Sequence, residues 1–336
     1  MLIGVPKEIK PQEYRVGLVP AGVQELVRLG AKVLIEHNAG IGIQISDDDY
    51  RKAGAEIVLT AKEIFERAEL IVKVKEPQPE ECLQLRRGQN LFAFLHLAPD
   101  IPQIQLLQAS GVTAIAYETV TKEGGGLPLL TPMSEIAGRL AIQVGAHYLE
   151  FAQGGCGKLL GGVPGVAPAE VVVIGGGAAG TQAIQMAIGM GSRVTVLDNS
   201  LSRLRFLDME FHNQLVTLYA TQESIAGAVA KADLLIGAVL IPGATAPKLV
   251  SAEMIQSMRP GSVVVDIAID QGGCFATSRP TTHQNPTYLV NGVVHYCVTN
   301  MPGVVPMTST YALANVTLPF IVDMVTLGIK GALLSN

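Results

Sequence analysis

The sequence predicts an α/β protein of two doubly wound domains, each a parallel sheet covered by helices, with a cleft between them. Three observations predict it. The chain has 336 residues, too many for one ordinary core and enough for about two domains of ~150 residues each. It is 49% apolar and only 16% charged, with 36 glycines, which suits strands buried on both faces of a parallel sheet. Short β-branched runs also alternate with helical spacings along most of its length.

Taken in order, Leu2–Val5, Lys32–Glu36, Leu70–Lys75, Asn90–Leu95 and Val112–Tyr117 read as strands. Ala21–Leu29, Asp47–Ala53, Ala61–Ala68 and Ile101–Ala109 between them carry helical apolar spacing. Ser134 is expected to cap a long helix that runs to Glu150, with Glu135 favourably placed in its first turn. The glycine-rich stretch Gly154–Gly165, followed by Pro168 and Glu170, reads as a loop into a second sheet. That sheet starts at Val171 and continues through Val194–Leu197, Asp233–Ile236, Val263–Asp266 and Val293–Tyr296. After Pro306 the pattern is helical, broken near Pro319 and Gly328. A last helix without a sheet must pack on something earlier, so the first domain is expected to be discontinuous: 1–130 plus 305–336, with 131–304 as the second.

Several classes are excluded at this level. A net charge of −5 and no Lys/Arg cluster offer no field for nucleic acid. The N-terminus Met-Leu-Ile-Gly-Val-Pro-Lys-Glu lacks a signal-peptide core, and no run of eighteen apolar residues is free of Gly, Pro or charge, so no membrane span is expected. The four cysteines (Cys82, Cys156, Cys274, Cys297) show no CxxC spacing and read as reduced, mostly buried thiols. The expectation is a cytoplasmic enzyme.

The clearest chemical signal follows the β-branched run Glu170-Val-Val-Val-Ile174. Gly175-Gly-Gly177-Ala-Ala-Gly180 matches G-x-G-x-x-G, with Gly175 for the tight turn, Gly177 for close approach of a pyrophosphate and Gly180 for helix–strand packing. The anion would sit on the N–H groups of the alanine-rich helix 181–190. Asp198 ends the next strand, 23 positions beyond Gly175, where a carboxylate accepts hydrogen bonds from the adenosine ribose. It would repel a 2′-phosphate, so NAD is expected over NADP. Residues 131–304 thus read as a Rossmann domain.

Hydride transfer to a carbonyl or imine also needs a proton donor and cations for a carboxylate. His96 ends the apolar run Leu91–Leu95, placing it at the carboxyl end of a strand, where open α/β sheets bind ligands. Lys73 and Lys75 end the preceding strand, and alternation sends both to the same face, leaving open which one serves. Arg15 follows the first strand in a polar turn, and Asp270 closes the apolar run from Val263. Each could also be a surface charge or a cap, as could Ser134 and Asn300. His37, His147, His212, His283 and His295 have no supporting neighbours.

These blocks resemble the alanine dehydrogenase family, related to the nucleotide-binding N-terminal part of proton-translocating transhydrogenase. The resemblance runs from Gly4-Val-Pro-Lys-Glu8 to the end. It includes Arg15-Val-Gly-Leu, Val72-Lys-Val-Lys75-Glu-Pro77, Leu95-His96-Leu-Ala and Leu130-Thr-Pro-Met133-Ser134. It continues in Gly161-Gly-Val-Pro-Gly, Leu235-Ile-Gly-Ala-Val-Leu-Ile-Pro-Gly243, Asp266-Ile-Ala-Ile-Asp270-Gln-Gly-Gly-Cys274 and Asn300-Met301-Pro-Gly.

The resemblance implies interconversion of L-alanine, NAD⁺ and water with pyruvate, ammonium and NADH. It implies His96 as acid/base with Asp270 its companion, and it selects Lys75 beside Arg15 for substrate binding, with Met133 and Asn300 lining the pocket. Beyond the glycine turn it implies NAD contacts at Ser134, Ala178, Ala179, Asp198, Arg203, Ala220, Val239, Leu240, Ile267, Ala268, Ile269, Asp270, Val298, Thr299, Asn300 and Met301. At Ala220 the small side chain points to a backbone contact. The implied assembly is a homohexamer whose domains close around the cleft. Two departures stand out. The family usually extends beyond the position of Asn336, which bears on hexamer stability. Some relatives bind a metal through a Glu and a His where this chain has Asp323 and Leu327, so no metal is expected. The alternatives are a transhydrogenase-like NAD(H)-binding subunit, a non-catalytic NAD sensor, and a dehydrogenase for another small amino acid such as glycine.

Overall fold

The run Leu2-Ile-Gly-Val5 forms β1, whose Ile3 and Val5 are fully buried. In the computed structural model, which describes residues 1–98, 100–122, 125–241 and 245–335, contacts divide the chain into two units. They are Met1–Met133 with Gly303–Asn336, and Ser134–Pro302. Pro242 and Gly243 of the apolar motif read above, and Asn336, lie outside the described residues.

In the first unit β1 is followed by α1 (Pro20–Arg28), β2 (Lys32–Glu36), α2 (Asp47–Lys52), β3 (Glu56–Val58), α3 (Ala61–Arg67) and β4 (Leu70–Val72). Then come α4 (Pro79–Cys82), β5 (Asn90–Ala93), α5 (Ile101–Ser110) and β6 (Thr113–Ala116). Local chemistry sets the helix starts. Pro20 opens α1, where a missing N–H is harmless, and Ser46 caps α2 in a reciprocal box with Asp49. The six strands lie parallel in the order β3-β2-β1-β4-β5-β6. Winding reverses between β1 and β4, which opens a crevice at their carboxyl ends.

The long helix α6 (Thr131–Tyr148) leads into the second unit. There follow β7 (Glu170–Ile174), α7 (Ala178–Gly189), β8 (Arg193–Asp198), α8 (Leu201–Phe211), β9 (Leu215–Tyr219) and α9 (Gln222–Val229). The unit is completed by β10 (Leu234–Gly237), α10 (Ala252–Gln256), β11 (Val263–Asp266), β12 (Thr287–Val290) and β13 (Val293–Tyr296). Its seven strands run β12-β13-β11-β10-β7-β8-β9, the same doubly wound order with one antiparallel hairpin strand, β12, added at the edge. Val171–Ile174 and Leu234–Ile236 are buried throughout, as expected for central parallel strands.

The last helix, α11 (Pro306–Ser335), belongs to the first unit. By length and composition alone it is apolar enough to cross a membrane. Its buried Thr310, Leu313, Thr317 and Ile321 recur at helical spacing, and it packs against α1, with Leu318 beside Gly22 and the Thr310 hydroxyl accepting from the Val16 N–H. Helical dihedrals fail at Gly328 (φ 73°), while Pro319 stays inside the helix, so the break expected at Pro319 is absent.

Three strands were not foreseen. β3, β9 and β12 are all edge strands, short or half-exposed, so they lack the continuous apolar run that marks a central strand. Several boundaries also change: β4 stops at Val72 and β5 at Ala93, short of the expected Lys75 and Leu95. α6 starts at Thr131, so Ser134 lies within its first turn and is not its cap. β11 stops at Asp266 and a 3₁₀ turn, Ile267–Gln271, carries Asp270.

Candidate functional site

In both units many of the residues singled out by sequence follow the carboxyl ends of the parallel strands, whereas Met133 and Ser134 lie in α6 and Arg203 in α8. In the first unit, Arg15 lies beyond β1, Lys75 beyond β4 and His96 beyond β5. Lys75 Nζ stands 3.3 Å from His96 Nε2. Lys75 is buried and His96 half-buried, so the contact between ammonium and imidazole is partly shielded from water. The imidazole also lies parallel to the Phe94 ring, at 5.8 Å and 9°.

Lys73 and Lys75 are not equivalent. β4 ends at Val72, so the pleat no longer dictates their direction. Lys73 is fully buried and ion-paired to Glu8 at 3.0 Å and Glu81 at 2.8 Å. Burial works against its charge, but the two carboxylates outweigh that and raise its pKa above the ordinary lysine value. The Glu8 carboxyl is itself pushed up by burial, against the pull of Lys73. Glu8 also accepts the Val74 N–H at 2.6 Å and the Lys75 N–H at 3.3 Å, so the lysine triad anchors the backbone that carries Lys75. A second glutamate does the same on the next strand. Glu118 accepts the N–H groups of Leu95 at 3.2 Å and His96 at 2.6 Å.

Arg15 is buried and its Nε–Nη2 edge is taken by Glu13, at 2.7 and 2.6 Å. Nη1 lies 3.2 Å from Met133 Sδ. A small cavity of about 30 Å³ opens beside Arg15, lined by Glu13, Asn38 and Gly42 among others. Glu76 sits by the same cluster. Burial disfavours its charge, yet Lys75 and its salt bridge to Lys10 hold its carboxyl below the usual range.

In the second unit, Gly175 has φ +94°, a conformation that favours glycine, and a side chain there would strike the Ala238 carbonyl. A Cβ on Gly180 would come 1.9 Å from the Gly175 oxygen, so α7 can press on the turn only with glycine there. Gly177 faces open space, and no side chain caps the N-terminus of α7 that it begins. Ala178 and Ala179 form the first turn of that helix. Asp198 ends β8 with its carboxylate fixed by the Gly176 N–H at 2.7 Å and the Ser200 N–H at 2.8 Å. Arg203 donates to the Gly176 carbonyl and the Thr181 hydroxyl and lies 4.7 Å over the Phe206 ring. The open glycine, the uncapped helix and the strand-end carboxylate fit a dinucleotide's pyrophosphate and ribose.

Further candidates occupy the neighbouring strand ends. Ala220 follows β9 and donates its N–H to the Asp198 carbonyl, which turns its backbone to that residue. Val239 and Leu240 follow β10, and Val298, Thr299, Asn300 and Met301 follow β13. Ile267, Ala268 and Ile269 form the 3₁₀ turn with Asp270, which is exposed and accepts the Asn300 N–H at 3.1 Å. Asn300 adopts φ +56°. Ser134, half-buried in α6, is the first residue of this unit. The buried Asp266 holds the turn, accepting from Ala268, Cys274 and Ser278. Burial pushes its carboxyl up despite these donors. His295 is buried and burial lowers its pKa; its Nδ1 donates to the Val293 carbonyl at 3.0 Å, so Nε2 accepts from the Thr277 hydroxyl at 2.8 Å.

This geometry agrees with the comparisons. Residues 4–137 match the alanine dehydrogenase/PNT N-terminal domain and residues 141–336 the C-terminal domain of the same family. The chain belongs to the alanine dehydrogenase/PNT family. An alanine dehydrogenase of Methanococcus maripaludis is 57% identical over 337 residues, spanning 100% of this chain and 90% of that protein. A solved L-alanine dehydrogenase superposes with a TM-score of 0.96 at 54% identity, covering 100% of this chain and 92% of the other. A transhydrogenase from Sinorhizobium meliloti superposes at 0.83 with 28% identity, covering 98% and 96%. Of these two solved structures the dehydrogenase is the more similar, in both sequence and superposition.

Sequence reading missed Glu8, Glu13, Glu118 and Asp266. Each acts on backbone or on a charged neighbour, so no spacing announces it. The one available signal was excess charge beside short strands, since buried cations such as Lys73 and Arg15 require carboxylates.

Proposed function

We propose that this chain catalyses the reversible, NAD-dependent oxidative deamination of L-alanine to pyruvate and ammonium. Membership of the family and the name shared by its relatives support the reaction. The observation that carries the residue roles is the Lys75–His96 contact, 3.3 Å between a buried ammonium and a half-buried imidazole, with Arg15 in the segment that follows the adjoining strand β1.

In this reading the first unit is the substrate domain. Arg15 binds the carboxylate, and Met133, 3.2 Å from its Nη1, closes the side of the pocket. Lys75 polarises the carbonyl or imine. After the amino group has lost a proton, the α-carbon gives up its hydride and an iminium forms. NAD⁺, when bound, supplies the acceptor for that hydride. His96 then takes a proton from the attacking water, giving a carbinolamine, and returns it to nitrogen; as the C–N bond breaks and ammonia leaves, the carbinolamine hydroxyl gives its proton to His96 and the carbonyl of pyruvate forms. Asp270 accompanies this step and positions Asn300. In the second unit the turn of Gly175, Gly177 and Gly180 would hold the pyrophosphate, and Asp198 the adenosine ribose, excluding a 2′-phosphate. Ser134, Arg203, Ala220 and the strand-end residues described above would complete the contacts. We further assign the chain to the cytoplasm and to a homohexamer, as its family resemblance implies.

A transhydrogenase-like role needs no such relay pair, and the lower identity to the transhydrogenase also disfavours it. The test is the absorbance of NADH with a panel of small amino acids, each with NAD⁺ and with NADP⁺. Turnover with L-alanine and NAD⁺ well above glycine and above NADP⁺ is expected. Activity that prefers another amino acid, or none with any, would overturn the assignment.

A further inference from the structure

We infer that Glu118 is a positioning residue for His96, holding its backbone in the left-handed conformation from which Nε2 reaches Lys75. The inference deepens the acid/base reading and rests on it. His96 has φ +49°, a region that costs any residue with a Cβ. Something must repay that cost. β5 and β6 pair through Asn90–Ala93 and Thr113–Ala116, but β6 then gives way to the 3₁₀ turn Tyr117–Thr119. Past Ala93 the N–H groups on that side have lost their strand partner. Glu118, carried by the turn, reaches back and takes both: Leu95 N–H at 3.2 Å to either oxygen, and His96 N–H at 2.6 Å.

A charged acceptor serving two successive N–H groups is stronger than a neutral carbonyl and fixes their mutual direction. The ring plane is held separately. Phe94 stacks parallel to the imidazole, and Tyr117, the residue before Glu118, meets Phe94 edge-on at 5.1 Å. The same turn therefore sets both the backbone and the ring of His96. Glu8 plays the matching part on β4 for Lys75, which shows that carboxylate caps on strand ends are how this unit aims its polar groups.

The test is a double-mutant cycle in the full chain: wild type, Glu118→Gln, His96→Ala and the double variant. Each is measured for kcat and KM with alanine, NADH affinity and thermal midpoint. Glu118→Gln should lower kcat by about 10- to 100-fold, as a misplaced catalytic group does, with NADH affinity unchanged. On the His96→Ala background it should change kcat by less than about twofold, because non-additivity marks residues acting as a unit. Equal losses on both backgrounds, or a kcat near wild type for Glu118→Gln, would overturn the inference. Should Glu118→Gln fail to fold, Glu118→Asp is expected to give the same kcat-selective loss. A crystal structure of the Gln variant separates this inference from the acid/base reading. His96 still at positive φ beside Lys75 contradicts positioning, whereas wild-type turnover by His96→Ala contradicts only the acid/base role.

Discussion

In the second unit the strand ends form a site out of backbone; in the first they form one out of buried charges. Both sheets have the same doubly wound order and present loops at equivalent places. After β7 the chain makes a glycine turn with an open face and uncapped N–H groups. After β1, β4 and β5 the first unit instead buries Arg15, Lys75 and half of His96, and each needs a glutamate to hold it in place. The difference suits the tasks proposed for the two units. A pyrophosphate is bound by amide dipoles that need only room, whereas moving protons on a small acid needs charged side chains in fixed positions.

The contrast breaks most visibly at the two lysines. Lys73→Met would leave Glu8 and Glu81 buried without their cation, and about 3–5 kcal/mol of stability should be lost. Lys75→Met should melt near wild type while alanine turnover collapses. Thermal midpoints and initial rates on the pair check this; equal melting losses would make both lysines structural. A smaller effect separates two glycines. Gly180→Ala forces a Cβ onto the Gly175 carbonyl and should cost about 1–3 kcal/mol by overpacking, together with NADH affinity. Gly177→Ala meets only open space, so its midpoint should hold while NADH binding weakens. Calorimetry and NADH titration distinguish them, and a destabilised Gly177→Ala would deny that the open face is reserved for a ligand.

The same contrast explains what could be read from sequence. The glycine turn and Asp198 were legible because their spacing is the mechanism. Central strands were legible as apolar runs, whereas β3, β9 and β12 were hidden because an edge strand buries too little to leave a pattern. Periodicity left Lys73 and Lys75 undecided, since both lie just past the last paired residue of β4. Their partners differ: Glu8 and Glu81 seal one away, and His96 meets the other. Asp270 read as a strand end because Ile267–Ile269 is apolar, yet Asp266 turns the chain four residues earlier by capping the turn with its own carboxylate.

The division between a cofactor unit and a proton-handling unit is tested most directly by His96→Ala, with NADH affinity and alanine-dependent NADH formation measured on one preparation. Affinity within about twofold of wild type and a turnover loss of at least ~100-fold are expected, the scale of a lost general acid/base. Retained turnover, or affinity and turnover lost together, would contradict it.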